Sequence, residues 1–132
     1  SMLSQLNDIN KTNLNKFKNE TKKLKEKESK LILQKNILSE TDFQNNIKKL
    51  KLEIDNYNVS RDKINNNFNK LRIDSTNELL KLINPILINY SNEKLISIIF
   101  KKKDLVIGMT ELDITDEIIK IMNKDIKEFK IQ

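Results

Sequence analysis

Residues 43–71 read FQNNIKKLKLEIDNYNVSRDKINNNFNKL. Apolar side chains recur in this stretch at alternating steps of four and three residues, which places them at the a and d positions of a heptad, on one face of an α-helix. They belong to Phe43, Ile47, Leu50, Ile54, Tyr57, Ile64, Phe68 and Leu71, with Arg61 as the one interruption. The spacing predicts a long amphipathic helix that packs against a second helix.

The preceding stretch, from Leu3 to Leu38, predicts the partner helix. Its heptad repeat consists of Phe17, Leu24, Leu31 and Leu38. The companion heptad position is half polar, so this helix is marginal alone and needs a partner. Ser39 or Thr41 can cap the next helix. We therefore predict a mainly α-helical protein whose residues 1–90 form a long antiparallel two-helix coiled-coil arm, with its tip at about residues 38–43.

The second helix meets a proline before it ends. The apolar spacing lengthens after Leu71, and Asn84-Pro85 follows. Asparagine is favoured as a helix N-cap and proline as the first helical residue, whereas proline inside a helix is costly. The sequence therefore predicts a kink or a restart at Pro85, with helix continuing to about Tyr90.

Residues 91–132 differ from the arm in composition and apolar spacing, and they predict a small α/β base. Residues 95–100 (LISIIF) and 105–109 (LVIGM) are rich in β-branched residues and predict a β-hairpin, and Asp113 or Thr115 can cap a last helix at about 114–128. Two strands are too few for an independent sheet, so we expect this body segment to associate with other copies of the chain. The expected oligomerisation residues are Ile96, Ile98, Phe100, Val106, Ile107, Ile114 and Ile118.

The composition argues against an enzyme. The chain of 132 residues contains no cysteine and no histidine, so a thiol nucleophile, the commonest general base and the usual soft metal ligands are missing. Serine with a lysine or carboxylate base remains open, although no motif supports it. We expect a binding protein with no catalytic residues, no cofactor and no metal.

Aliphatic side chains also occur on the arm outside its predicted seam. Leu52, Val59 and Ile73 fall at heptad position f, opposite the seam, where polar residues are usual. Together with Leu33 they are our candidate residues for binding an apolar partner, because scattered, shallow apolar contacts accept partners without a common sequence and allow their release. The alternative is that they are isolated exposed aliphatics without a role.

The arm carries the positive charge of the protein. Between Lys11 and Lys70 there are 15 basic and 8 acidic residues, a net charge of +7 against +6 for the whole chain. This excess predicts attraction to acidic clients, lipopolysaccharide or an anionic membrane surface, or else a solvated face that keeps the arm soluble. Nucleic acid is a weak candidate because aromatic residues for stacking are few. The lysines concerned are Lys22, Lys23, Lys25, Lys27, Lys48, Lys49 and Lys51.

One segment resembles a known family. Residues 105–119 read LVIGMTELDITDEII, and their helix is expected to end near Asn123. This pattern resembles the C-terminal signature of the Skp/OmpH family of periplasmic chaperones, and Leu38-Ser39-Glu40 resembles the arm tip of that family. The order of predicted elements is similar from Leu3 to the end of the chain.

The resemblance implies a function and an assembly. It implies a homotrimer whose three arms extend from a β-sheet body and enclose a cavity. Such a protein holds unfolded outer-membrane β-barrel proteins without ATP, in the periplasm of a Gram-negative bacterium after removal of a signal peptide. With that function, the candidate residues Leu33, Leu52, Val59 and Ile73 would be client-binding residues. Members of that family begin with a strand that joins the body, and we find no counterpart ahead of the first helix here. The alternative is a coiled-coil scaffold or oligomerisation protein that binds no client.

Overall fold

The computed structural model describes residues 1–126 and 129–131. Helix α1 spans Met2–Leu33, α2 spans Glu40–Lys94 and α3 spans Thr115–Asp125, with single-turn 3-10 helices at Lys102–Asp104 and Thr110–Leu112. The long helices α1 and α2 pack antiparallel. The predicted helical hairpin is therefore confirmed.

The residues group by their contacts into two compact units. The first contains Ser1 and Leu3–Arg72, and the second contains Met2 and the chain from Ile73 onward. The predicted boundary between an arm at 1–90 and a body at 91–132 is a functional division and stays a prediction.

In the first unit the predicted seam is the face that loses solvent exposure. On α2 the side chains of Phe43, Ile47, Leu50, Tyr57, Ile64, Phe68 and Leu71 are half-buried, as are Phe17, Leu24 and Leu31 on α1. The predicted seam residue Ile54 differs from them, since it stays exposed. The seam is thin, because a two-helix contact leaves much of every side chain at its edge in water. The seam residues hold the two helices together, because packing them against each other removes apolar area from water.

Polar groups also join the two helices of the first unit. Thr21 Oγ1 lies 2.9 Å from Tyr57 Oη, and that hydroxyl also lies 3.4 Å from the carbonyl oxygen of Phe17. Lys27 Nζ donates to Glu53 Oε2 at 2.5 Å. These bonds specify which residues of α1 and α2 face each other, because a shift of either helix along its axis would break them.

The tip of the hairpin lies a few residues earlier than predicted. Helix α1 ends at Leu33 rather than Leu38, so the turn occupies residues 34–39 and the prediction of 38–43 is wrong. Backbone bonds within the turn, including Leu38 N–H to the Gln34 carbonyl at 3.0 Å, replace helical continuation. Ser39 caps α2 as predicted, since its Oγ accepts the backbone N–H of Asp42 at 3.1 Å.

Helix α2 passes Pro85 without a break and ends at Lys94, so of the predicted kink or restart the restart is wrong, while the kink stays a prediction. Proline removes one backbone bond of the helix, at a cost of about 3 kcal/mol. Half-buried Ile83, Ile86 and Leu87 flank it and Tyr90 is buried, and this tertiary packing offsets the local cost. The local propensity was outweighed by contacts made on both sides of the proline.

The predicted β-hairpin is wrong, since no residue in the described part of the chain forms a strand. Residues 96–101 and 105–109 are irregular, and Lys101, Leu105 and Met109 have extended backbone angles. A strand needs a neighbour that supplies backbone hydrogen bonds, and no described residue pairs with this segment in that way. The β-rich sequence therefore stays unpaired.

Helix α3 begins and ends inside its predicted range. It covers Thr115–Asp125, against a prediction of about 114–128, of which Lys127 and Glu128 lie outside the described residues. Ile118 is buried on this helix in the second unit. Tyr90, also buried, donates a hydrogen bond to Glu117 of α3. The end of α2 and the start of α3 are therefore joined by both apolar and polar contacts.

Candidate functional site

The predicted client-binding residues of α2 are exposed in the structure. Leu52 and Val59 lie in the first unit and keep 60% and 70% of their surface accessible. They are seven residues apart, so they share one face of the helix, and neighbouring Leu50 and Tyr57 lie in the half-buried seam. Ile73 in the second unit is also exposed. Apolar area at these positions is thus available for binding.

Leu33, the remaining predicted client-binding residue, belongs to a larger apolar group at the tip. Ile32, Leu33 and Ile37 keep 64%, 77% and 80% of their surface exposed. Ile32 and Ile37 were not predicted as binding residues, because the apolar pattern of the sequence extends the first helix through them to Leu38. The turn signal that would have placed them at the tip is the polar run Gln34-Lys35-Asn36.

The seven lysines predicted to attract anionic partners are all exposed. Three of them make ion pairs: Lys22 with Glu26 at 4.0 Å, Lys23 with Glu20 at 3.0 Å and Lys27 with Glu53 at 2.5 Å. The other four have no ion pair with any residue that the structure describes: Lys25, Lys48, Lys49 and Lys51. Exposed lysines of this kind act on a charged partner at a range set by the salt concentration.

The predicted oligomerisation residues fall into two groups. Ile98, Phe100, Val106 and Ile107 are exposed, Val106 by 98%, whereas Ile96 and Ile114 are half-buried and Ile118 is buried. Further exposed apolar residues of the same segment are Leu95, Ile99, Leu105, Met109 and Leu112. Residues 95–112 therefore form an uncovered apolar segment within the second unit.

The backbone of this uncovered segment is also unsatisfied. Within the described residues, the N–H groups of residues 97–101 and 106–109 donate to no backbone carbonyl. An apolar stretch whose backbone N–H groups are not used within the described structure is suited to pairing with a strand of another chain. The apolar, β-branched residues that predicted strands are thus exposed, but no described strand pairs with them to form a sheet.

Asp113 and Thr115, the predicted caps of the last helix, form a small polar cluster. Asp113 Oδ1 accepts from the backbone N–H of Thr115 at 3.1 Å and from its hydroxyl at 2.5 Å, and Asp113 Oδ2 accepts from Lys102 Nζ at 2.5 Å. The hydrogen bond from Lys102, followed by those from Thr115, holds the pKa of the Asp113 carboxyl well below its usual range. The same pairing raises the pKa of Lys102. The N-cap position of α3 is occupied by Ile114, which makes no side-chain cap bond, so the prediction that Asp113 or Thr115 caps the helix is wrong. The cluster instead joins Lys102 of the preceding loop to the chain just before α3, which is a structural role.

Two searches for other kinds of site gave no candidate. Among the described residues, no group of three or more acidic, histidine or cysteine side chains could hold a metal ion. No helix in that part of the chain is long and apolar enough to cross a membrane.

The sequence was also compared with known proteins and the fold with solved structures. No protein-family model matches the chain, no curated protein is significantly similar to it, and no solved structure matches it.

Proposed function

We propose that this protein is an ATP-independent holdase chaperone of the periplasm, which binds unfolded outer-membrane β-barrel proteins between the coiled-coil arms of a homo-oligomer. The observation that carries the proposal is the exposed aliphatic face of α2, where Leu52 and Val59 lie opposite the seam. The resemblance of residues 105–119 to the Skp/OmpH signature supplies the client class, the trimer and the compartment.

The exposed aliphatic side chains suit a holdase because each offers only a small contact. A client that must later be released cannot be held by one tight pocket, and clients without a common sequence need contacts that accept any apolar side chain. Several weak contacts on separate arms of one oligomer add up through effective concentration. Polar and charged neighbours keep each site small, which limits aggregation of the chaperone itself.

The unpaired lysines support a first step of capture. Lys48, Lys49 and Lys51 lie close to Leu52 on α2, so an acidic client drawn to them arrives beside an apolar contact. Such attraction acts mainly on the association rate and weakens with salt, because the Debye length is about 8 Å at physiological ionic strength. An association rate that does not change with salt would remove this part of the proposal.

The uncovered segment at residues 95–112 supports self-association. Exposed apolar area together with free backbone N–H groups favours pairing with other copies of the chain, which would assemble a body and bring several arms together. The same feature supports the competing function, a scaffold that only oligomerises. Client binding through Leu52, Val59 and Ile73 separates the two, because a scaffold does not need an exposed apolar face on its arm.

A holding assay tests the proposal. The protein is mixed with an unfolded β-barrel membrane protein diluted from urea, and aggregation is followed by light scattering. The triple variant Leu52→Ser, Val59→Ser, Ile73→Ser should bind the client at least about fivefold more weakly. It loses part of three apolar contacts, each of which contributes about 1 kcal/mol to client binding. The matched control is Asn58→Ser, Asn65→Ser, Asn69→Ser, which changes three exposed polar positions of the same helix.

The control variant should protect the client as well as the unmodified protein does. Equal protection by the triple variant Leu52→Ser, Val59→Ser, Ile73→Ser would contradict the proposal, provided that circular dichroism shows unchanged helicity. Failure of the unmodified protein to suppress aggregation would favour the scaffold instead.

A further inference from the structure

The tip of the helical hairpin combines exposed aliphatic side chains with positive charge. Ile32 and Leu33 end α1, Ile37 lies in the turn, and all three are at least 64% exposed within six residues of chain. Half-buried Leu31 and Leu38 flank them and contribute to the seam. In the part of the chain that the structure describes, Ile32, Leu33 and Ile37 are therefore left largely accessible to solvent.

Backbone hydrogen bonds define the conformation of the turn that carries these side chains. Lys35 N–H donates to the Ile32 carbonyl at 3.2 Å, and the N–H groups of Ile37 and Leu38 both donate to the Gln34 carbonyl at 3.0 Å. The Ser39 cap then starts α2. Because the backbone is bonded through most of the turn, the exposure of the aliphatic side chains is built into the fold of the tip.

Most of the net charge of the protein surrounds this tip. Residues 22–51 hold nine basic and four acidic residues, a net charge of +5 out of +6 for the whole chain. Glu40 and Asp42 are the acidic residues of the first turn of α2, where the positive end of the helix dipole compensates them in part. Lys30 and Lys35, the lysines next to the exposed aliphatics, make no ion pair with any described residue.

The remaining unpaired lysines lie further along the two helices. Lys25, Lys48, Lys49 and Lys51 are within about 17 Å of the helix ends at a rise of 1.5 Å per residue. Lysine side chains keep the ammonium group in water while their methylene stems cover apolar surface. The tip thus places exposed aliphatic side chains at the end of the hairpin and lysines around them. This arrangement matches a surface with an apolar interior and anionic groups on its outside.

We propose that Ile32, Leu33 and Ile37 insert into the boundary between headgroups and acyl chains of an anionic phospholipid surface, while Lys30 and Lys35 contact the phosphates. The occupant is a lipid surface rather than a pocket in a protein, because the tip is the end of the hairpin and its net charge is positive. The docking is interfacial: a turn of this length can reach the acyl boundary but does not span a bilayer. This site is separate from the α2 face proposed to hold clients.

Vesicle co-sedimentation tests the inference with two triple variants. The full chain is mixed with vesicles of phosphatidylcholine, with and without phosphatidylglycerol, at physiological salt. The tip variant Ile32→Ser, Leu33→Ser, Ile37→Ser should partition onto the anionic vesicles at least about tenfold more weakly, since burial of as few as two methylene groups is worth that factor. The control Leu52→Ser, Val59→Ser, Ile73→Ser removes as many exposed aliphatics elsewhere and should change partitioning less than about twofold.

A charge comparison uses the same assay. Lys30→Gln, Lys35→Gln should weaken binding to anionic vesicles about tenfold or more, because each lysine at such a surface contributes about a factor of five. Lys63→Gln, Lys70→Gln removes the same charge from exposed positions far from the tip along α2 and should have the smaller effect. Equal losses in both double variants would overturn the assignment to the tip.

Insertion itself can be read from fluorescence, because the chain contains no tryptophan. In an Ile37→Trp variant, emission should shift to shorter wavelength with phosphatidylglycerol vesicles and be quenched by lipids brominated on their acyl chains. A Val59→Trp variant should show neither change. Unchanged emission from Ile37→Trp, or a loss of self-association rather than of vesicle binding in the tip variant, would overturn the proposal.

Discussion

Leu95 is the one described residue other than glycine with a positive φ, at 56°. It ends α2 in a Schellman arrangement, with Ile96 N–H donating to the Ser91 carbonyl at 2.9 Å and Leu95 N–H donating to the Asn92 carbonyl at 3.4 Å. Glycine usually occupies this position, because a side chain there costs roughly 1–2 kcal/mol. Leu95 is also 90% exposed, so its side chain gains little within the chain in return.

Replacing Leu95 with glycine should therefore raise stability. We expect Leu95→Gly to increase the free energy of unfolding by up to about 1 kcal/mol, after subtracting the greater entropy of glycine in the unfolded chain. Urea titration followed by circular dichroism measures the change. As a control, Lys63→Gly in the exposed middle of α2 should lower the same free energy by about 0.7 kcal/mol. A destabilised Leu95→Gly protein would show that the leucine side chain makes a contact that outweighs the strain.

Asp113 predicts a pH dependence through its lowered pKa, which arises first from the Lys102 hydrogen bond and then from those of Thr115. A carboxyl whose folded pKa lies below its unfolded value of about 3.9 stabilises the fold above that pH, and the contribution fades as the pH falls toward the folded pKa. Asp113→Asn should therefore be less stable than the unmodified protein at pH 7, and the difference should shrink below about pH 4. Urea titrations at both pH values measure it, and a difference that does not change with pH would contradict the assignment.

Helix α2 carries two leucines two residues apart with opposite environments. Leu50 is half-buried in the seam, whereas Leu52 is exposed on the other face. We expect Leu50→Ala to lower the free energy of unfolding by about 1–2 kcal/mol, less than for a fully buried leucine, and Leu52→Ala to change it by less than about 0.5 kcal/mol. Denaturation curves of the two variants supply the comparison. Similar losses from both would mean that α2 presents a different face to α1.

The helices of this protein were predictable because their signal is local and repeated. Phe43, Ile47 and Leu50 define a face within two turns, and each further turn restates it. The exposure of Leu52 and Val59 follows from the same periodicity. The end of α1 was misplaced because Ile37 and Leu38 continue the apolar character of the helix, while the hydrogen bonds that close the turn leave no trace in that pattern.

The errors elsewhere have a common cause in contacts that are distant along the chain. Pro85 suggested a break, yet the side chains around it keep α2 intact. Val106 and Ile107 suggested a strand, yet a strand requires a neighbouring backbone, and none of the described residues pairs with them. The Thr21–Tyr57 hydrogen bond was also missed, because sequence patterns show which face a residue occupies but not its opposite partner.

The whole molecule is described best as two helical units with apolar surfaces that the chain leaves uncovered. Four buried residues among those described, namely Leu6, Ser75, Tyr90 and Ile118, are few for 132 residues. A chain with so little interior is expected to gain stability from association with other copies. The exposed residues at 95–112 offer surface for that association, while Leu52 and Val59 form a separate exposed apolar face on α2.

Multi-angle light scattering, with and without an unfolded β-barrel membrane protein, tests the chaperone proposal most directly. The protein alone should elute at the mass of a homo-oligomer. With client added, the mass should rise by one client chain per oligomer, and the client should stay soluble without ATP. An unchanged mass, with the client aggregating as fast as it does alone, would contradict the proposed function.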